Sequence, residues 1–237
     1  MNNEYEQAEP KKNIDEKIER DYDRSINMWN DVYSKCQIVD LKGKSLSVEP
    51  MFDICLDIFA SKCKNILDFG CGTGDVIFQC YEFGNMDSGL GIDLSETGIN
   101  FAKEFATVNK YTNLNFEMGD ISYFDNYNGK PFDGIILSNV PKDIALKTFK
   151  GLTKLLAPKG LMFVKLNPFY EKTDMKQWGF TQIKDNLFEE NGILRYRELD
   201  TASWKQSFEK HYEIIRYLEF PYPWQEGMNR LFLLQKK

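Results

Sequence analysis

Three glycines, Gly70, Gly72 and Gly74, alternate with other residues in the stretch ILDFGCGTG, which follows an apolar run and carries Asp68 two positions before the first glycine. Such a backbone permits a tight turn, lets a ligand approach the main chain, and lets the following helix pack closely on the strand. The helix that starts there offers unpaired N–H groups and partial positive charge to an anionic group. Two further aspartates stand where strands should end: Asp93 in LGIDLS, 25 residues after Asp68, and Asp120 in FEMGDIS. A carboxylate at the second strand end can accept hydrogen bonds from a ribose diol. Each aspartate alone would read as a helix cap or a solvated turn. Three at successive strand ends line one crevice of an open parallel sheet.

Two nucleotide motifs fail here. The dinucleotide fingerprint needs glycine at position 75 or 77, and those positions hold Asp75 and Ile77. A phosphate-binding loop ending at Gly43-Lys44-Ser45 would need glycine where Ile38 stands. The pattern suits a ligand with a carboxylate, an ammonium, a ribose and no phosphate.

The elements that must position these residues follow from periodicity. Ile14, Ile18, Tyr22, Ile26, Trp29 and Tyr33 recur at helical spacing, and a second amphipathic helix follows Pro50 with Met51, Ile54, Cys55, Ile58 and Phe59 on one side. Strands KNILDF, SGLGIDL, NLNFEM (with Leu114, Phe116 and Met118 on one face), FDGIILS and GLMFVKL then alternate with helices. The first of these helices is closed by Gly84, the second is capped by Ser95 and the third is ended by Pro158. Alternation of this kind predicts crossover connections and a parallel sheet. The last third changes character. Asn191-Gly192 predicts a hairpin within 186–199, TASWKQSFEKH a helix, and YEIIRYLEF and RLFLLQ an antiparallel pair. The organisation expected is a polar tail at 1–12 and a single domain over 13–237, with N-terminal helices at 13–62 and an α/β core at 64–237.

The stretch ILDFGCGTG resembles motif I of the class I S-adenosylmethionine-dependent methyltransferases, and the resemblance runs motif by motif over residues 64–165. It implies a Rossmann-like seven-stranded sheet of order 3-2-1-4-5-7-6 with strand 7 antiparallel, helices on both faces and an N-terminal helical lid. It implies S-adenosylmethionine as cofactor, S-adenosylhomocysteine as product and no metal. The cofactor residues it implies are Asp68, Gly70, Cys71, Gly72, Gly74, Asp93, Leu94, Asp120, Ile121, Ser138 and Asn139. Asp93 would take the ribose, Asp120 the adenine amino group, and Ile121 the face of the ring. Trp29 and Tyr33, one turn apart, are candidates for the lid, and Tyr170, Trp178 and Trp224 for an acceptor pocket.

The chain departs from the family after strand four, where Ser138-Asn139-Val140 runs directly into Pro141-Lys142-Asp143 and the usual histidine is missing. The single histidine, His211, lies near a helix end and suits a surface or capping role. Methyl transfer needs no base where the acceptor needs no deprotonation, since holding it collinear at about 3 Å supplies much of the rate. Asp143, Lys142 and Tyr33 are the candidate bases, so the catalytic residue stays open. Asn167-Pro168-Phe169-Tyr170 is similar to a tetrad of amine methyltransferases but follows the wrong strand, and reads as a strand end. The resulting expectation is methyl transfer to a small-molecule acceptor. A catalytically silent cofactor-binding subunit and a protein or RNA methyltransferase are the alternatives.

Composition bounds these readings. A net charge of −6 argues against non-specific binding to nucleic acid or anionic membranes. The N-terminus has no apolar signal core and no run reaches the length of a membrane span, so a cytoplasmic protein is expected. Five cysteines without a C-x-x-C pair, beside one histidine, predict free thiols rather than zinc ligands. The oligomeric state is not legible.

Overall fold

The computed structural model describes residues 26–44, 50–84, 86–125, 127–139, 142–169, 176–177, 179–184, 187–190, 193–197, 200–221 and 228–237. Tyr170, Trp178 and Trp224 lie outside them, as do the helical expectation for 13–25 and the Asn191-Gly192 turn. The side chains of Lys142 and Asp143 also lie outside the description.

The parallel strands are β1 (Asn65–Phe69), β2 (Ser88–Asp93), β3 (Leu114–Met118), β4 (Phe132–Ser138) and β5 (Leu156–Phe169). Two later strands, β9 (Tyr212–Pro221) and β10 (Met228–Lys236), complete a seven-stranded sheet of order β3-β2-β1-β4-β5-β10-β9. Strand β10 runs antiparallel to both β5 and β9. Counted along the sheet this is the expected 3-2-1-4-5-7-6. Nine residues at most separate the ends of YEIIRYLEF and RLFLLQ in the sequence, too few for a helical crossover, which is why the last strand turns back.

Helices pack on both faces. Residues 26–34 form α1, followed by α2 (Pro50–Lys62), α3 (Asp75–Phe83), α4 (Glu96–Val108), the 3₁₀ turn η1 (Ile121–Phe124), α5 (Lys142–Leu155) and α6 (Thr201–Glu209). One core cluster joins Leu56 and Phe59 of α2, Ile77 and Phe78 of α3, and Ile99 and Ala102 of α4 to Ile66, Ile136 and Phe163 of the sheet. The opposite cluster joins Phe124, Leu152, Trp204 and Phe208 to Leu67, Ile135, Leu137 and Phe232. Adjacent residues of β4 thus enter opposite cores, which explains the unbroken apolar run of that strand.

Two local expectations change. Helix α5 ends at Leu155, not at Pro158, and β5 already begins at Leu156. The β4–β5 pairing passes from Phe132↔Leu156 to Gly134↔Leu161, so Pro158 sits in a bulge beside Lys159 at φ 61°. Proline is tolerated there because a bulge has no ladder bond for it to lose. Met118 continues the face of Leu114 and Phe116 but, at the strand end, is 52% exposed. The hairpin strands β7 (Leu187–Glu190) and β8 (Ile193–Arg197) pair antiparallel as expected, and β6 (Thr181–Lys184) adds a third strand to them.

Candidate functional site

The carboxyl ends of β1, β2 and β4 meet at the glycine loop. Gly70, Gly72 and Gly74 all have positive φ, at 76°, 54° and 87°. The loop is held to the neighbouring strand, with the N–H groups of Gly70 and Cys71 donating to Ile92 O at 2.7 and 3.1 Å. Gly74 is the N-cap of α3 and brings no side-chain cap, and among the first-turn amides that of Ile77 faces the Asp68 carboxyl. Cys71 is buried in the loop and its thiol is pushed far up by burial, next by the Asp68 charge. All five cysteines are free thiols, and Cys36 is the exposed one.

Asp93 ends β2 and accepts from Gly72 N and from Ser95 N, each at 2.8 Å. Burial raises its carboxyl above the ordinary range against the pull of those bonds. Leu94 follows it, half-buried. Asp68 is 1% exposed, and neither of its carboxyl oxygens has a hydrogen-bond partner of ordinary geometry among the described residues. Burial first, then the Asp93 charge, push it up to about 8, with the Ile77 amide offsetting part of the shift. Asp75, in the first turn of α3, is exposed at its outer side, yet partial desolvation raises its carboxyl while Thr73 and Lys165 pull it down. Three acidic side chains therefore share one partly desolvated basin beside the loop.

Asp120 lies just beyond β3 and caps η1, its Oδ1 accepting from Ser122 N at 2.8 Å and from Ser122 Oγ at 2.6 Å. Ile121 is half-buried and packs toward Gly151 of α5. Ser138 ends β4, and Asn139 takes up φ 56° with its N–H donating to Lys165 O at 3.0 Å. His211 stands at the start of β9, at the opposite edge of the sheet, where its backbone N–H donates to Phe208 O. It is remote from the crevice.

Helix α1 lies on this loop. A Cβ on Gly72 would come within 2.5 Å of Tyr33 Oη, and one on Gly98 within 2.9 Å of Tyr33 Cδ2, so the phenol ring is wedged between two glycines. Trp29 stacks on Tyr33 with ring centroids 5.6 Å apart. Burial, then the Asp93 carboxylate, hold the Tyr33 phenol protonated well above its ordinary range. It can donate a hydrogen bond, but it is a poor base at neutral pH. Sequence reasoning missed Asn30, whose Oδ1 accepts from Ser95 Oγ at 2.6 Å and from Thr97 N at 3.3 Å. Nothing in the spacing of a polar residue on an amphipathic helix signals such a distant partner. A cavity of about 390 Å³ opens farther along the same sheet edge, lined by Asp200, Thr201, Glu219, Met228 and the buried Arg230.

The sequence model of the methyltransferase domain family matches residues 60–215, and the chain belongs to that family. An uncharacterised protein of Rickettsia prowazekii is 35% identical over 106 residues, which are 43% of this chain and 42% of that one. Malonyl-[acyl-carrier protein] O-methyltransferase of Halalkalibacterium halodurans is 26% identical over 207 residues, 81% of this chain and 69% of that one. The chain thus spans less than half of the Rickettsia protein's length. The crystal structure of Burkholderia thailandensis 1,6-didemethyltoxoflavin-N1-methyltransferase, with bound 1,6-didemethyltoxoflavin and S-adenosylhomocysteine, matches with a TM-score of 0.64 at 16% identity, covering 99% of this chain and 93% of that one. That likeness is one of fold.

Proposed function

We propose that the protein transfers a methyl group from S-adenosylmethionine to a small-molecule acceptor held over the ends of β4 and β5. The observation that carries the reading is the acidic basin of Asp68, Asp75 and Asp93 beside a glycine loop and an uncapped helix start. A pyrophosphate beside these carboxyls would disfavour their ionised forms further, whereas a ligand with an ammonium and a sulfonium favours the ionised forms and pairs with them. Its one carboxylate suits the N–H donors at the start of α3. The family membership supports methyl transfer, and by their own names the two enzymes act on malonyl-[acyl-carrier protein] and on 1,6-didemethyltoxoflavin.

In this reading Asp93 takes the ribose, Asp120 and Ile121 take the adenine, and Asp68 faces the ammonium. Gly70, Cys71, Gly72 and Gly74 provide the backbone cradle, and Leu94, Ser138 and Asn139 border it. The cofactor, when bound, supplies a methyl group already activated by a sulfonium. The protein's contribution is then position: the acceptor is held in line, and Trp29 and Tyr33 on α1 exclude water from the crevice. With His211 remote and Tyr33 protonated, Lys142 and Asp143 just beyond β4 remain the candidates where the acceptor must lose a proton, and an acceptor that is already nucleophilic needs neither.

A turnover assay that follows S-adenosylhomocysteine formation against fractionated metabolites tests this. Acceptor-dependent product is expected. Tight cofactor binding without turnover on any fraction would favour the silent binding subunit instead, and turnover confined to protein or RNA fractions would replace the acceptor class.

A further inference from the structure

We propose that Asn30 positions the lid: its side chain ties α1 to the turn that carries Asp93, so that docking of α1 and binding in the crevice reinforce each other. The inference rests on the cofactor reading above.

The bonds form one connected set. Gly98 N donates to Ser95 Oγ at 3.0 Å, and Ser95 Oγ donates onward to Asn30 Oδ1 at 2.6 Å. Ser95 N donates to Asp93 Oδ1, and Gly72 N to Asp93 Oδ2, both at 2.8 Å. Asn30 is thus linked through Ser95 and Asp93 to the middle of the glycine loop. The Ser95 side chain is fully buried, so its hydroxyl proton has no water to turn to when Asn30 is removed. Thr97 N, one of the donors that α4 cannot satisfy within itself, also reaches Asn30 Oδ1, at 3.3 Å. An oxygen acceptor is well placed at that helix start, where the partial charge is positive.

Tyr33 sits three positions after Asn30, on the same face of α1, and packs on Gly72 and Gly98. The two residues therefore fix α1 at both edges of the same turn, one by hydrogen bonds and one by shape. None of residues 26–34 belongs to the fully buried core, so these contacts, more than core packing, hold the helix in place. A ligand bonded to Asp93 stiffens the turn on which α1 rests, and by reciprocity a docked α1 raises the affinity for that ligand.

Two variants of the full chain, Asn30→Leu and Asn30→Asp, separate this from simple packing. Asn30→Leu should speed amide exchange in residues 27–34 at least tenfold, leave β1 and β4 amides unchanged, and weaken S-adenosylhomocysteine binding five- to twentyfold by calorimetry. Asn30→Asp keeps an acceptor oxygen in the same place and should return both readings to within threefold of the unaltered protein. Unchanged exchange and affinity in Asn30→Leu would overturn the proposal. Faster exchange with unchanged affinity would overturn it too, because docking and binding would then be independent. So would an Asp variant as impaired as the Leu variant, since the hydrogen bond would not be the cause. If the unaltered protein binds no S-adenosylhomocysteine, the cofactor reading falls and takes this proposal with it. Binding by the unaltered protein with no loss in Asn30→Leu overturns this proposal alone.

Discussion

Asp93 and Gly72 are joined across two strands by a 2.8 Å hydrogen bond from the glycine N–H to Oδ2 of the carboxylate. The residue expected to take the ribose therefore also sets the shape of the loop expected to cradle the rest of the cofactor. Its second oxygen is bonded to Ser95 N, yet a carboxylate has about four lone-pair sites, so capacity remains for a diol.

Asp93→Ala should weaken S-adenosylhomocysteine binding by roughly 2–4 kcal/mol, as it removes a charged acceptor and releases the loop. Asp93→Asn, which can still accept through one oxygen, should lose less. Asp120→Ala should cost about 1–2 kcal/mol, because it affects one adenine contact near solvent. Calorimetry gives the ranking, and a larger Asp120 effect would mean that the two ends of the cofactor are interchanged.

Gly72→Val should abolish binding. Its φ of 54° is strained for a β-branched residue, and the new Cβ would start 2.5 Å from Tyr33 Oη. Tyr33→Ala in the same chain removes the clash but not the backbone strain. Measured against Tyr33→Ala alone, which itself loses part of the lid, equal binding by the double variant would show that the collision with α1 is the cause, and weaker binding would assign the loss to the loop itself.

Asp68 gives a pH signature with a definite sign. Its carboxyl, pushed up to about 8 in the folded chain, would lie near 4 when unfolded. Between these values the folded state holds a proton that the unfolded state lacks, so this residue makes stability fall as pH rises from about 4 to about 8, by at most ~1.4 kcal/mol per pH unit. The burial shifts of Asp75 and Asp93 act in the same direction. Asp68→Asn should flatten the pH dependence of Tm across that window. An ammonium placed beside Asp68 favours its ionised form, so cofactor binding near pH 7 should release a proton, seen as a binding enthalpy that varies with buffer ionisation heat. Buffer-independent enthalpy would place the ammonium elsewhere.

The sheet and the glycine loop were legible because their signals are local. An apolar strand, alternating glycines and a capping Ser95 each announce themselves within a few residues, and Ser95 does bond to Gly98 N as its position predicts. The bulge at Pro158 was not, since pairing Leu156 with Phe132 depends on a strand more than twenty residues away. Strand β6 was missed because its four residues, TQIK, carry too weak an alternation to stand out. Asn30 was invisible for a similar reason: its partners Ser95 and Thr97 are 65 and 67 residues away, and only the fold makes them neighbours.

The N-terminal segment separates a lid from a piece of core. Residues 26–34 contribute no fully buried hydrophobic side chain, whereas Ile38 and Leu41, just beyond, pack against the core on the α2–α4 face. Leu41 N is further held by Asn109 Oδ1 at 2.8 Å. Deleting residues 1–36 therefore spares Ile38 and Leu41, and the remainder should fold with its Tm lowered by only a few degrees, which corresponds to about 1 kcal/mol. The loss should appear in function. Without the Trp29–Tyr33 pair on the crevice, S-adenosylhomocysteine should bind at least tenfold more weakly and turnover should vanish, because water reaches the transferring group. Circular dichroism melts and calorimetry on the truncated chain check both halves. A truncated protein that fails to fold would make α1 a core element, and undiminished turnover would show that the crevice needs no cover.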